Sequence, residues 1–243
     1  MSDSDEPIPA LFATIHHRSE ERPNGYTAED MSWLNVQANR HIPDLYASLA
    51  ATHRARFPTS DLAAGSDYSI GEHSHRFAAW AASRAASVKK YRFSVSVGKH
   101  LLEAIGCSGN IQSPDDLPHP DLIDDLHYLW REDMIRAAHD LGISISHGIA
   151  AKLINVYFKA RFVSGPTAYH PNVASLHPPI DSVLLKELAL QKFGGSSQPW
   201  RDAQKRAWSN FTSAEYEDII ANLRTHLKGR PLWTIEQYWR GYQ

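Results

Sequence analysis

Between residues 145 and 185 the chain reads ISHGIAAKLINVYFKARFVSGPTAYHPNVASLHPPIDSVLL, and three of its side chains can do chemistry together. Asp181 follows Pro178, Pro179 and Ile180. Two prolines suit an extended lead-in and the first turn of a helix, where the helix dipole keeps an aspartate ionised. Lys152 and Lys159 precede it, two helical turns apart and on roughly the same side of a helix. A fixed carboxylate steadies positive charge developing on a sugar carbon, and a nearby amine can attack that carbon. To act as that nucleophile at neutral pH, Lys152 needs a depressed pKa.

These residues have to be positioned by helices. In GIAAKLINVYFKARF, the residues Ile149, Leu153, Val156 and Tyr157 share one face at helical spacing, which predicts an amphipathic helix over about 146–163 buried on that side. Ser146 is its expected N-cap, and the amides of Ser146, His147, Gly148 and Ile149 are expected to hold a phosphate at the helix N-terminus. A long amphipathic helix is expected within 113–142, closed by Gly142, with Leu122, Leu126, Leu129 and Trp130 inward. Ala-rich HRFAAWAASRAASV (75–88) predicts a packed helix with Phe77, Trp80 and Ala81 on its inner stripe.

Further helices are expected over 27–54 (interrupted at Pro43), 95–106, 181–193 and from the Ser213/Glu215 region to Lys228. Residues 200–208 read as a Trp-rich connection and LWTIEQYWRGYQ as a closing aromatic helix. Strand-like alternation is confined to RFSVSV (92–97), too short for a sheet. The class is all-α. Residues 1–25, polar with scattered Pro and Gly, read as an N-terminal arm. Residues 26–243 then form a two-lobed helical bundle with its hinge near 107–120.

Composition bounds the function. The chain has 243 residues, of which 42% are hydrophobic and 21% charged, enough for a real core. No apolar run approaches the roughly 20 residues of a membrane helix, and MSDSDEPIPALF lacks the basic flank and apolar stretch of a signal peptide. Cys107 is the only cysteine, which excludes an internal disulfide and fits a reducing cytoplasm. The net charge of −2 makes no global case for a polyanionic partner. Charge is nonetheless uneven: Asp115, Asp116, Asp121, Asp124, Asp125, Glu132, Asp133 and Asp140 face only Arg131 and Arg136 in one stretch. None of the fourteen histidines falls in a zinc-binding spacing, so no metal site is expected. No phosphate-cradling glycine loop is present, which argues against a nucleotide hydrolase.

The lysine-bearing helix, the loop after it and the Pro-Pro-Ile-Asp turn, inside an all-α chain, resemble the helix-hairpin-helix (HhH-GPD) DNA glycosylase superfamily. The local likeness, K152-LINVYF-K159 followed by PPID, is to its archaeal 8-oxoguanine glycosylase branch. That resemblance implies cleavage of the N-glycosidic bond of a modified or damaged base in duplex DNA, with the base flipped out of the stack and an abasic site left behind. It implies Asp181 as catalytic aspartate, Lys152 as the nucleophile of a lyase-competent member, a hairpin with Ser146, His147, Gly148 and Lys159 on the DNA backbone, no cofactor and a monomer. Repair and defence against phage DNA are both open roles. The usual Gly-x-Gly hairpin turn is absent, Gly148 being the only glycine in SISHGIA.

Each residue also has a plainer reading. Asp181 after two prolines serves as a structural N-cap. Lys152 and Lys159 fit solvated positions on an amphipathic helix. His73, His75 and Trp80 could line a base pocket, or be cap and core residues. Asn155, inside an apolar helix, needs a partner, supplied either by a fold-specifying hydrogen bond or by a ligand. Tyr169 and His170 lie in a loop that can face a pocket. The rival function is a non-catalytic helical module that binds nucleic acid or protein.

Overall fold

The computed structural model describes residues 69–241 apart from 90 and 108. The chain divides into Met1–Asp67 and Tyr68–Gln243, and every described residue belongs to the second unit. The N-terminal arm and the helix expected over 27–54 lie outside the described residues. Among those described, regular structure is entirely helical, without a strand. None of these helices is long and apolar enough to cross a membrane.

The order is α1 (Ile70–Ala86), α2 (Val95–Glu103), α3 (Ile123–Asp140), α4 (His147–Phe158), α5 (Pro171–Ala174), α6 (Ser182–Leu190), α7 (Gln198–Arg206) and α8 (Ser213–Leu227). A π-helical turn, Lys159–Val163, extends α4, and the chain closes with a 3-10 segment, Leu232–Tyr238. Local chemistry sets the starts. The side chains of Ser69, Ser94, Ser146, Asp181 and Thr212 each accept the amide of the residue three positions on, satisfying donors that a helix start leaves free. RFSVSV forms no strand because Ser94 caps α2 in its middle. Gly142, at φ +72°, ends α3; its amide and that of Ile143 return to His139 and Ala138 at 2.8 and 2.9 Å, a left-handed close that favours glycine.

Two apolar cores share α4. The first runs from Ala78 to Leu176 and includes Leu101, Met134, Leu153 and Phe158; the second gathers Ala151, Leu184, Trp200, Tyr216 and Ile235. Helix α4 is therefore buried nearly all round, with His147 and Val156 its half-buried residues. The expected one-sided amphipathic helix is instead a central helix. The segment expected as a hinge carries Cys107, Ile111 and Leu117, which are buried in the first core.

Two expected faces are rotated, and two expected elements differ in kind. Helix α1 buries His75, Ala78, Ala79, Ala82 and Ser83 and leaves Phe77 and Trp80 exposed, because an alanine face lets α4 approach closely. Helix α3 buries Ile123, His127, Arg131, Met134 and Ala138 and exposes Leu129, with Leu122 exposed just before it. The expected connection at 200–208 is mostly α7, with Trp200 in the second core, and the expected closing helix is the tighter 3-10 segment.

Gly148 sits where the turn Trp208–Asn210 meets the start of α4: a β-carbon there would overlap the Trp208 carbonyl oxygen, a backbone atom. Gly148→Ala is expected to destabilise the protein by about 1–3 kcal/mol, as overpacking does, read as a lower urea midpoint with an unchanged slope.

Candidate active site

Lys152 and Asp181 do meet. Lys152 Nζ donates to Asp181 Oδ2 at 2.8 Å, with the lysine side chain 6% and the aspartate side chain 16% exposed. Asp181 caps α6 through Oδ1, which accepts the Leu184 amide at 2.9 Å, and its Oδ2 also accepts the Trp239 indole N–H at 3.0 Å. The expected N-cap and the expected chemical carboxylate are thus the same group. Burial opposes ionisation of Asp181, but Lys152, the Leu184 amide and the indole outweigh it, so the carboxyl lies below its ordinary range. Burial also lowers the Lys152 ammonium, against the pull of Asp181, moving it toward the neutral amine a nucleophile needs. The Trp208 ring lies 5.8 Å from Lys152 Nζ.

A second pair adjoins the first. Lys159 pairs with Glu236 and lies 5.7 Å from the Trp239 ring. Burial raises the Glu236 carboxyl, with Lys159 and Lys152 opposing. The closing segment therefore supplies a carboxylate and an indole to the cluster built by α4 and α6. Nothing in the pattern of LWTIEQYWRGYQ pointed to either.

The expected phosphate-binding residues are engaged within the chain. Ser146 Oγ donates to the Ser209 carbonyl at 2.7 Å and caps Ile149; the Gly148 amide donates to the Phe211 carbonyl at 3.3 Å. His147 faces Glu132 at 3.3 Å and stacks on Tyr128. A cavity of about 520 Å³ opens beside this turn, lined by Lys89, Ser144, Ser146 and Asn210 among others.

The residues proposed for a base pocket have separate environments. His75 is buried against the Tyr157 hydroxyl at 2.8 Å, whose proton goes to the Cys107 carbonyl. Trp80 is exposed beside Phe77, and His73 is exposed on α1. Tyr169 packs edge-on against Trp233, while His170 caps α5 and faces Asp115 at 3.2 Å. Asn155 lies in a polar network that composition did not announce.

That network has a determined proton order. Asp124 accepts His177 Nε2–H at 2.7 Å, and Arg224 grips the same carboxylate through both terminal nitrogens. His177 Nδ1 then accepts the Tyr216 hydroxyl at 3.1 Å, and that oxygen accepts Asn155 Nδ2–H at 2.9 Å. Asn155 also donates to the Pro178 carbonyl at 2.9 Å and accepts His127 Nε2–H at 2.8 Å, while buried His127 Nδ1 has no hydrogen-bond partner among the described residues. Arg131 reaches Ser213 and Glu217 and lies over the Tyr216 ring. The network joins α3, α4 and α8 to the strand-like lead-in before Asp181, so it fixes that turn.

Burial holds His127 well below the usual histidine range and lowers His177 despite Asp124. The unfolded chain binds protons near pH 6.5 that these folded imidazoles refuse, so stability rises with pH across this window and is lost as pH falls below about 6.5. His127, held well below that range, contributes a slope approaching about 1.4 kcal/mol per pH unit there. Urea unfolding at pH 7.5 and 5.5 checks this: His127→Phe is expected to flatten the dependence.

Compared with models of known protein families, with characterised proteins and with solved structures, the chain gives no match.

Proposed function

We propose that the protein is a DNA glycosylase, a hydrolase acting on N-glycosyl bonds, with Asp181 and Lys152 at its active site. The observation that carries this reading is the 2.8 Å Lys152–Asp181 contact at a helix start, a largely buried amine and carboxylate on consecutive halves of the Lys-helix and PPID segment. In the hydrolytic course the C1′–N bond breaks and its electron pair leaves with the base. Asp181 stands against the cationic sugar, water adds at C1′, and the proton it loses is taken up by the departed base. In the lyase course Lys152 passes a proton to Asp181, and its neutral amine forms the Nζ–C1′ bond as the base departs. Trp208 and Trp239 flank the pair, so productive binding requires this aromatic cover to give way. The cavity beside Ser146, with Lys89 at its rim, is the proposed place for a DNA phosphate.

A second reading has its own support. Asp181 already accepts three donors, and Ser146, Gly148 and Lys159 are engaged inside the chain. These contacts suit a non-catalytic module in which the pair is structural. The test is free-base release from a panel of modified duplexes and modified phage DNAs, with borohydride added in parallel. Release with a trapped protein–DNA adduct that Lys152→Gln abolishes supports the lyase course, and release without an adduct supports hydrolysis. Salt-dependent DNA binding with no release on any substrate supports the module.

A further inference from the structure

We infer that the groove between α3 and α8 is a docking surface for a basic amphipathic helix of a partner protein. This does not depend on the proposed chemistry. The groove is a cavity of about 690 Å³ whose wall includes Asp125, Tyr128, Leu129, Glu217, Ile220 and Ala221. Of these, Tyr128 and Leu129 are 41% and 51% exposed. Leu129 of α3 is thus left in solvent beside the groove, while His127 and Arg131 are buried on the same helix. Apolar side chains gathered beside an open groove mark interaction sites more than scattered ones do.

Charge selects the occupant. Of the groove's carboxylates, Asp124 is matched by Arg224 and Glu217 by Arg131, which leaves Asp125 without a cationic partner among the described residues. Along α3 and its lead-in, Asp121 and Asp140 add exposed negative charge, with Arg136 committed to Asp133. A nucleic acid is repelled by such a face. A second copy, paired about a two-fold axis, would set the same carboxylates against each other. A helix with leucines on one side and lysines flanking them seats its apolar side between Leu129 and Ala221 and places a cation at Asp125, the helix-in-groove mode of recognition.

The test uses the full chain and two fluorescein-labelled helices, one of leucine and lysine, the other of leucine and glutamate, followed by anisotropy. The Leu/Lys helix is expected to bind, to weaken as salt rises, and to lose about tenfold or more in affinity with Leu129→Glu and with Asp125→Lys; the Leu/Glu helix is expected not to bind. Both substituted side chains face solvent, so retained folding is checked by circular dichroism. Failure of the Leu/Lys helix to bind, equal binding by the variants, or equal binding of the Leu/Glu helix overturns the proposal. So does a concentration-dependent dimer in sedimentation that Leu129→Glu dissolves, which assigns the groove to self-association.

Discussion

Asn155→Leu is expected to lower stability by about 3 kcal/mol or more at pH 7.5, since each buried partner left unsatisfied costs about 1–3 kcal/mol. Three groups are stranded: His127 Nε2–H, the Pro178 carbonyl and the Tyr216 hydroxyl oxygen. Leucine keeps the branched shape but is larger at this buried position, so overpacking adds to the loss of hydrogen bonds. Tyr216→Phe removes only the donor to His177 and one acceptor for Asn155, and should cost less. Because the two share a bond, their effects should add to more than the double variant loses. Urea unfolding of the three variants checks this. A loss below 1 kcal/mol for Asn155→Leu would contradict the network's role.

The network also explains why some of the site was legible and some was not. Caps are local, so Ser146 and Asp181 could be read from their neighbours, and so could Gly142 as a helix stop. The meeting of Lys152 with Asp181 followed from a lysine helix and a Pro-Pro-Ile-Asp turn close in sequence. The burial of His127 and Arg131 could not be read that way. Their partners Tyr216, Ser213 and Glu217 sit on α8, far along the chain, and an apolar periodicity rule places Leu122 and Leu129 inward instead. Trp239 and Glu236 were missed for a related reason. The expected helix over the C-terminal residues is a 3-10 segment, which turns these two toward Asp181 and Lys159.

The second large effect lies at the pair itself. Asp181→Asn is expected to cost about 3–5 kcal/mol, the range for leaving one member of a buried ion pair without its partner. The new amide group would also face two donors, Lys152 Nζ and the Trp239 indole. Lys152→Met should be costly for the converse reason, stranding a largely buried carboxylate. The double variant Lys152→Met/Asp181→Asn should recover much of the sum, because removing both charges also removes their desolvation cost. A protein that becomes more stable than wild type with both charges gone would be keeping the pair for something other than stability, as an active site requires.

The most direct measurement is the rate at which alkali-labile sites appear in modified duplexes and phage DNAs, for the wild-type protein and Asp181→Asn. Both are assayed at a temperature where circular dichroism shows them folded and at matched DNA occupancy. The proposed mechanism predicts strand breaks with the wild type on at least one substrate and their loss, by a factor of about 100 or more, in Asp181→Asn, as when electrostatic stabilisation of a transition state is removed. Breaks that persist undiminished in the folded variant, or none on any substrate from a folded, DNA-bound wild type, would contradict it.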